Sequence, residues 1–183
     1  MGRTGLGKEA VTLTQELGPD VVLLDFSLPD QDGLETTKQI VALGLKTRVL
    51  ILTMYANEEY ATRLIQAGAA GFLGKAASED ELLAAVRKVA AQGIFVALPI
   101  LEKLVTRMGQ PPEEAPESAL SNRELQVLLQ LASGSSTREV SEALELSIST
   151  VETYRSRILE KLNLRNNSDL TRFAIRRGLI ESY

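Results

Sequence analysis

The chain has 183 residues, 44% of them apolar, and a net charge of −4, enough for one large domain or two small ones with a packed core. It contains no Cys and no His. That excludes a disulfide framework, the usual zinc sites, Ser-His and Cys-His catalysis and any role as a phosphohistidine donor.

Charge is unevenly spread. Residues 1–118 carry 11 Lys+Arg and 16 Asp+Glu, whereas residues 119–183 carry 9 and 8, a division expected of two modules with different partners. The longest apolar runs fall far short of a membrane span and no signal peptide is evident, so no membrane association and a cytoplasmic location are expected.

In chain order, Gly2-Arg3-Thr4-Gly5-Leu6-Gly7-Lys8 mimics a Walker A loop. The next residue is Glu9, not Ser or Thr, and no strand precedes the motif, so nucleotide binding is rejected. Gly7 to Leu17 reads as a helix with Ala10, Val11, Leu13, Thr14 and Leu17 on its apolar face. Val21-Val22-Leu23-Leu24-Asp25 reads as a fully buried parallel strand. A carboxylate at the carboxyl end of such a strand sits where open α/β sheets place their ligand crevice. Pro29 and Gly33 mark the loop before a helix over 34–43. A second buried strand spans 47–53 and an amphipathic helix 57–66. A short strand over 69–75 and a helix over 78–92, capped by Ser78-Glu79-Asp80-Glu81, complete the series. This β-α alternation predicts a parallel sheet with right-handed crossovers. Residues 109–118, Pro- and Glu-rich without apolar periodicity, read as a linker.

The remaining residues predict four short helices. Ser121-Asn122-Arg123-Glu124 and Ser136-Thr137-Arg138-Glu139 are capping boxes for the first two. A turn at Glu145-Leu146 leads to Ser147, the expected cap of a third helix reaching Leu162, and a fourth covers about 168–177. The arrangement fits a helix-turn-helix.

The stretch VVLLDFSLPDQDG, with LILT and GFLGK after it, resembles the receiver domain of response regulators. The resemblance implies that Asp25 accepts a phosphoryl group from a sensor histidine kinase, that Thr53 and Lys75 contact it, and that Phe72 is the aromatic switch residue. It implies a flavodoxin-like fold, but the family's first two strands have no counterpart, so the sheet is expected to be incomplete with Asp25 on an edge strand. The acidic pair that holds Mg²⁺ in the family is also without a counterpart. Asp25 and the backbone carbonyl of Ser27 remain as an incomplete metal set. Residues 1–108 therefore read as a truncated receiver: a fragment, a misplaced start, or a receiver completed by another chain.

Residues 119–183 resemble the DNA-binding domain of LuxR-type regulators, with Leu120, Glu124, Val127, Leu128, Gly134, Glu139, Leu144, Ser147, Thr150, Val151, Ile158, Lys161 and Leu162 as landmarks. The two resemblances together point to the NarL/FixJ class. At about 100° per residue, Val151, Ile158 and Leu162 share the inner face of the third helix. Ser149, Thr153, Ser156, Arg157 and Glu160 lie opposite, and would enter the major groove. Arg157 could read guanine, while Thr153 and Ser156 could contact base edges. Thr150, Tyr154, Arg155 and Lys161 are expected at phosphates. Glu152 and Glu160 are either groove-facing or solvated. By family analogy Leu170, Phe173, Ala174, Leu179 and Ile180 form a homodimer surface, or else close the core.

The expected function is transcription regulation by a non-enzymatic protein that binds double-stranded DNA under the control of Asp25. The alternatives are phosphorylation-independent DNA binding, and a truncated partner that titrates full-length homologues through its sheet edge.

Overall fold

The structure is a computed structural model that describes residues 2–54, 58–96 and 116–180. The chain divides into two compact units, Met1–Gly109 and Gln110–Tyr183. Most of the expected linker lies outside the described residues.

In the first unit, α1 (Gly7–Leu17) leads to β1 (Val21–Asp25), α2 (Gly33–Ala42), β2 (Arg48–Thr53), α3 (Glu58–Gln66), β3 (Gly71–Gly74) and α4 (Glu79–Ala90). The three strands form a parallel sheet in the order β1-β2-β3. Phe95 extends the sheet beyond β3, since its N–H donates to the Ala70 carbonyl and its carbonyl accepts from Phe72. Gly71 has to be glycine there, because a Cβ would lie 2.3 Å from the Phe95 carbonyl oxygen.

Helix starts follow local chemistry. Ser78 and Glu81 form the reciprocal capping box expected for α4, and Asp32 accepts from the Glu35 N–H at the start of α2. The central strand is sealed, with Val49, Leu50 and Ile51 at most 1% exposed. Leu50, Ala70, Ala85 and Val89 form a buried cluster beneath α4.

The expected full burial of β1 is not observed. Leu24 is buried but Leu23 is 47% exposed. An apolar run signals a strand covered on both faces only if both faces receive a neighbour. Among the described residues β1 is an edge strand, and the face of the sheet to which Leu23 points is open at that position. Leu17, placed on the apolar face of α1, is also exposed.

The second unit opens with a 3₁₀ turn (Pro116–Ala119), followed by α5 (Asn122–Ala132), α6 (Thr137–Ala143), α7 (Ile148–Lys161) and α8 (Asn167–Arg176). Both predicted capping boxes form, at Ser121 and Ser136, and Ser147 caps α7. Leu125, Val127, Leu128, Leu129, Val151, Ile158 and Leu170 make the core. Leu170, Phe173, Ala174 and Leu179 are also buried. Of the residues expected either at a homodimer surface or in the core, these four close the core, while Ile180 is half-buried.

Candidate functional site

Parallel pairing carries the carboxyl ends of all three strands to one edge of the sheet. Asp25 pairs in register with Leu52, and Thr53 with Gly74. The ladder continues through the Lys75 N–H, which donates to the Thr53 carbonyl at 2.8 Å. Lys75 is thereby turned back over the strand ends, and its Nζ lies 2.5 Å from Asp25 Oδ2. Each side chain is about a third exposed, at 35% and 36%. The other carboxylate oxygen, Oδ1, accepts the Ser27 N–H at 3.0 Å. Thr53 and Phe72 are both buried, each 2% exposed. Of the expected group, Asp25 and Lys75 are in direct contact, Thr53 ends the adjacent strand, and Phe72 lies inside the sheet core.

The loop after Asp25 is held by hydrogen bonds that the sequence does not announce. Asp30 accepts the Gly7 and Lys8 N–H groups with its two oxygens, at 2.7 and 3.0 Å. It therefore caps α1, whose own N-cap position, Leu6, offers no acceptor. Burial raises the Asp30 pKa, but the hydrogen bonds from the Lys8 and Gly7 amides outweigh it and hold the carboxyl below its ordinary value. The same interaction occupies the last two amides of the Walker-like motif. At the far end of the loop Gly33 packs on backbone, and a Cβ there would sit 2.7 Å from Phe26 Cα and 2.8 Å from the Asp25 carbonyl oxygen.

A Mg²⁺ ion asks for several oxygen ligands in near-octahedral array. The described residues do not fit it. Among them no group of three or more acidic, His or Cys side chains could hold a metal. Of the loop carboxylates nearest Asp25 in sequence, Asp30 caps α1 and Asp32 caps α2.

In the second unit, the turn between α6 and α7 is set by Glu145, whose φ is 52°. Thr137 Oγ1 donates to Glu152 Oε1 at 2.9 Å and ties α6 to α7. That bond, with the Arg155–Glu152 pair, accounts for Glu152. Arg123 reaches from α5 to the Leu144 carbonyl at 3.1 Å. Ser149, Thr153, Ser156, Arg157 and Glu160 are all exposed, as the helical period requires, while Thr150 and Tyr154 are half-buried on the flank. Arg157 has no hydrogen bond or ion pair among the described residues.

Two side chains expected at phosphates are directed elsewhere. Lys161 Nζ lies 2.7 Å from Glu124 Oε2 and donates to the Ala119 carbonyl at 3.3 Å. Arg155 donates through Nε to Asn167 Oδ1 at 2.7 Å and faces Glu152 at 3.4 Å. Glu124 is only 3% exposed. Burial pushes its pKa up, but the Lys161 hydrogen bond and the Ser121 donors pull harder, and the net direction is down. Sequence reading recognises Glu124 as a cap and a family landmark but not as an ion-pair partner, because a capping box is local and its cationic partner lies 37 positions away.

The first unit thus sets a strand-end carboxylate against a lysine, and the second is a capped helix-turn-helix of the kind found in DNA-binding regulators. The response regulator receiver domain family matches residues 2–87, and the luxR family of bacterial regulatory proteins matches residues 118–174. The chain is 35% identical to the response regulator GacA of Pseudomonas aeruginosa over all of its length and 86% of that protein's. It is 36% identical to the response regulator UvrY of Escherichia coli over 98% of the chain and 83% of that protein. In structure it resembles RcsB from Salmonella enterica, with a TM-score of 0.53 at 21% identity over 92% of the chain and 81% of RcsB, a likeness of fold alone. The chain belongs to the response regulators of the NarL/FixJ type, which join a receiver to a LuxR-type DNA-binding domain. The family is regulatory in kind, and its receivers as a class bind Mg²⁺. Among the described residues no helix is long and apolar enough to cross a membrane.

Proposed function

We propose that α7 is the recognition helix of this transcription regulator and that Asp25 is the carboxylate through which its input arrives. The observation that carries the first part is the outward face of α7, where Arg157 stands exposed and without a partner between Thr153 and Glu160. A guanidinium presented in this way suits the two acceptors of a guanine edge in the major groove, and Ser149, Thr153 and Ser156 supply short polar contacts beside it. Double-stranded DNA bound by a homodimer on paired half-sites is the partner arrangement this reading favours, since the second unit has little net charge to hold DNA as a monomer. In fluorescence anisotropy with a bound operator duplex, Arg157→Ala is expected to weaken binding by about 1–3 kcal/mol. Wild-type affinity in that variant would reject α7 as the reader.

For the input, the Asp25–Lys75 pair supports phosphoryl transfer from the phosphohistidine of a sensor kinase. The phosphorus–nitrogen bond breaks as an Asp25 oxygen forms the new phosphorus–oxygen bond, and Lys75 is placed to neutralise the phosphoryl oxygens. Charge added here would favour the DNA-bound dimer by population shift. Labelling with acetyl phosphate tests it: an acid-labile modification absent from Asp25→Asn is expected.

A second reading rests on a specific observation. Both Asp25 oxygens are already engaged, and the described carboxylates do not fit Mg²⁺. On that reading the second unit binds DNA without phosphorylation. Wild-type protein that resists labelling yet binds DNA with full affinity would select it.

A further inference from the structure

Hydrogen bonds brace α7 at points away from the turns that join it to its neighbours. The turn set by Glu145 closes one end of the corner between α6 and α7. Thr137 is the first residue of α6, at the open end of that corner, and its Oγ1 donates to Glu152 Oε1 at 2.9 Å. The turn after α7 contains Asn163, whose φ is 52°. Across this second corner Arg155 Nε donates at 2.7 Å to Oδ1 of Asn167, the first residue of α8. The two braces meet, since Arg155 Nη1 donates to Glu152 Oε2 at 3.4 Å. Thr137, Glu152, Arg155 and Asn167 thus form one chain of bonds across three helices.

Aliphatic packing does not fix the roll of a helix by itself. Val151 and Ile158 seat α7 on the core, but apolar burial is non-directional, and helix packing angles scatter by about 20°. At the roughly 5 Å radius of a helix with its side chains, a roll of that size moves an outward atom by about 2 Å. Hydrogen bonds fail over smaller displacements. Glu152 itself is ill suited to a polyanion, because a carboxylate on α7 repels phosphate. Both of its oxygens are instead engaged by Thr137 and Arg155. We infer that Glu152 and Arg155 are positioning residues, holding α7 at the roll from which Thr153, Ser156 and Arg157 meet base edges, and so set sequence discrimination without touching DNA. The inference rests on α7 being the recognition helix.

The test uses the whole chain and two probes at one salt concentration: a duplex that the wild-type chain selects from a random pool, and a random-sequence duplex of equal length. Thr137→Val and Asn167→Ala each cut one brace at its outer end and leave the charge of α7 unaltered. Each should lower the ratio of selected to random affinity roughly tenfold, the discrimination carried by one base contact, with the random-duplex affinity unchanged. Thr137→Ser keeps the donor and Asn167→Asp the acceptor, and both should restore the ratio. Thr137→Val should add nothing to Glu152→Ala, because both remove the same bond. An unaltered ratio in Thr137→Val and Asn167→Ala, while Arg157→Ala still lowers it, overturns this inference alone. Equal losses on both duplexes also overturn it and make these residues phosphate contacts. A ratio that falls only in step with the urea midpoint overturns it as well and leaves the bonds a purely structural role. If the wild-type chain selects no duplex from the pool, the reading of α7 falls, and this inference with it.

Discussion

The ammonium of Lys161 lies 2.7 Å from a Glu124 carboxylate that is only 3% exposed. One end of α7 is thus anchored to the first helix of its unit through a buried charge. Removing the cation leaves that charge without its partner. Lys161→Met is expected to lower stability by about 1–3 kcal/mol, the cost of an unsatisfied buried polar group, read from urea midpoints. An unchanged midpoint would show that the pair contributes nothing.

The same pair sets a pH dependence. The folded pKa of Glu124 lies below its ordinary value, so its contribution to stability is complete above the ordinary glutamate range and disappears as pH falls through the folded value. Urea midpoints taken from about pH 6 to about pH 3 should fall less steeply in Glu124→Gln than in wild type. Identical slopes would contradict the assignment.

At the strand ends, Asp25 and Lys75 form a pair that is about one-third exposed on each side. Solvent screening limits what such a pair adds, and Asp25→Asn should shift stability by less than about 1 kcal/mol. Because the described carboxylates do not fit Mg²⁺, titration with the ion should leave the amide NMR signals of Asp25, Ser27 and Lys75 in place. A saturable shift that Asp25→Asn removes would overturn this.

Asp30 offers a sharper test of the loop. It supplies the acceptor for α1 that Leu6 does not. Asp30→Ala should cost about 1 kcal/mol, as loss of a helix cap does, and hydrogen exchange should quicken at Gly7 and Lys8. Unaltered exchange at those two amides would mean that the cap is not maintained in solution.

Gly33 is constrained by backbone rather than by conformation. A methyl group there would meet Phe26 Cα and the Asp25 carbonyl oxygen, both under 3 Å away. Gly33→Ala should therefore lower stability by about 1–3 kcal/mol through overpacking and displace the segment carrying Asp25. Thermal melts and the amide signal of Asp25 report the two effects separately.

The sequence by itself determined whatever depends on neighbours along the chain. The capping boxes at Ser78, Ser121 and Ser136 and the cap at Ser147 formed as expected, because each bond closes within four residues. The outward face of α7 and the strand-end position of Asp25 were legible too, since helical period and apolar run length report them directly. Only the tertiary structure decided which atoms meet across long separations. Asp30 reaches Gly7 over 23 positions, Lys161 reaches Glu124 over 37, and Lys75 reaches Asp25 over 50. Periodicity says which way a side chain turns but not what awaits it there. Lys161 and Arg155 accordingly read as phosphate ligands until their partners came into view, and Leu23 read as buried until its face of the sheet was seen to be open.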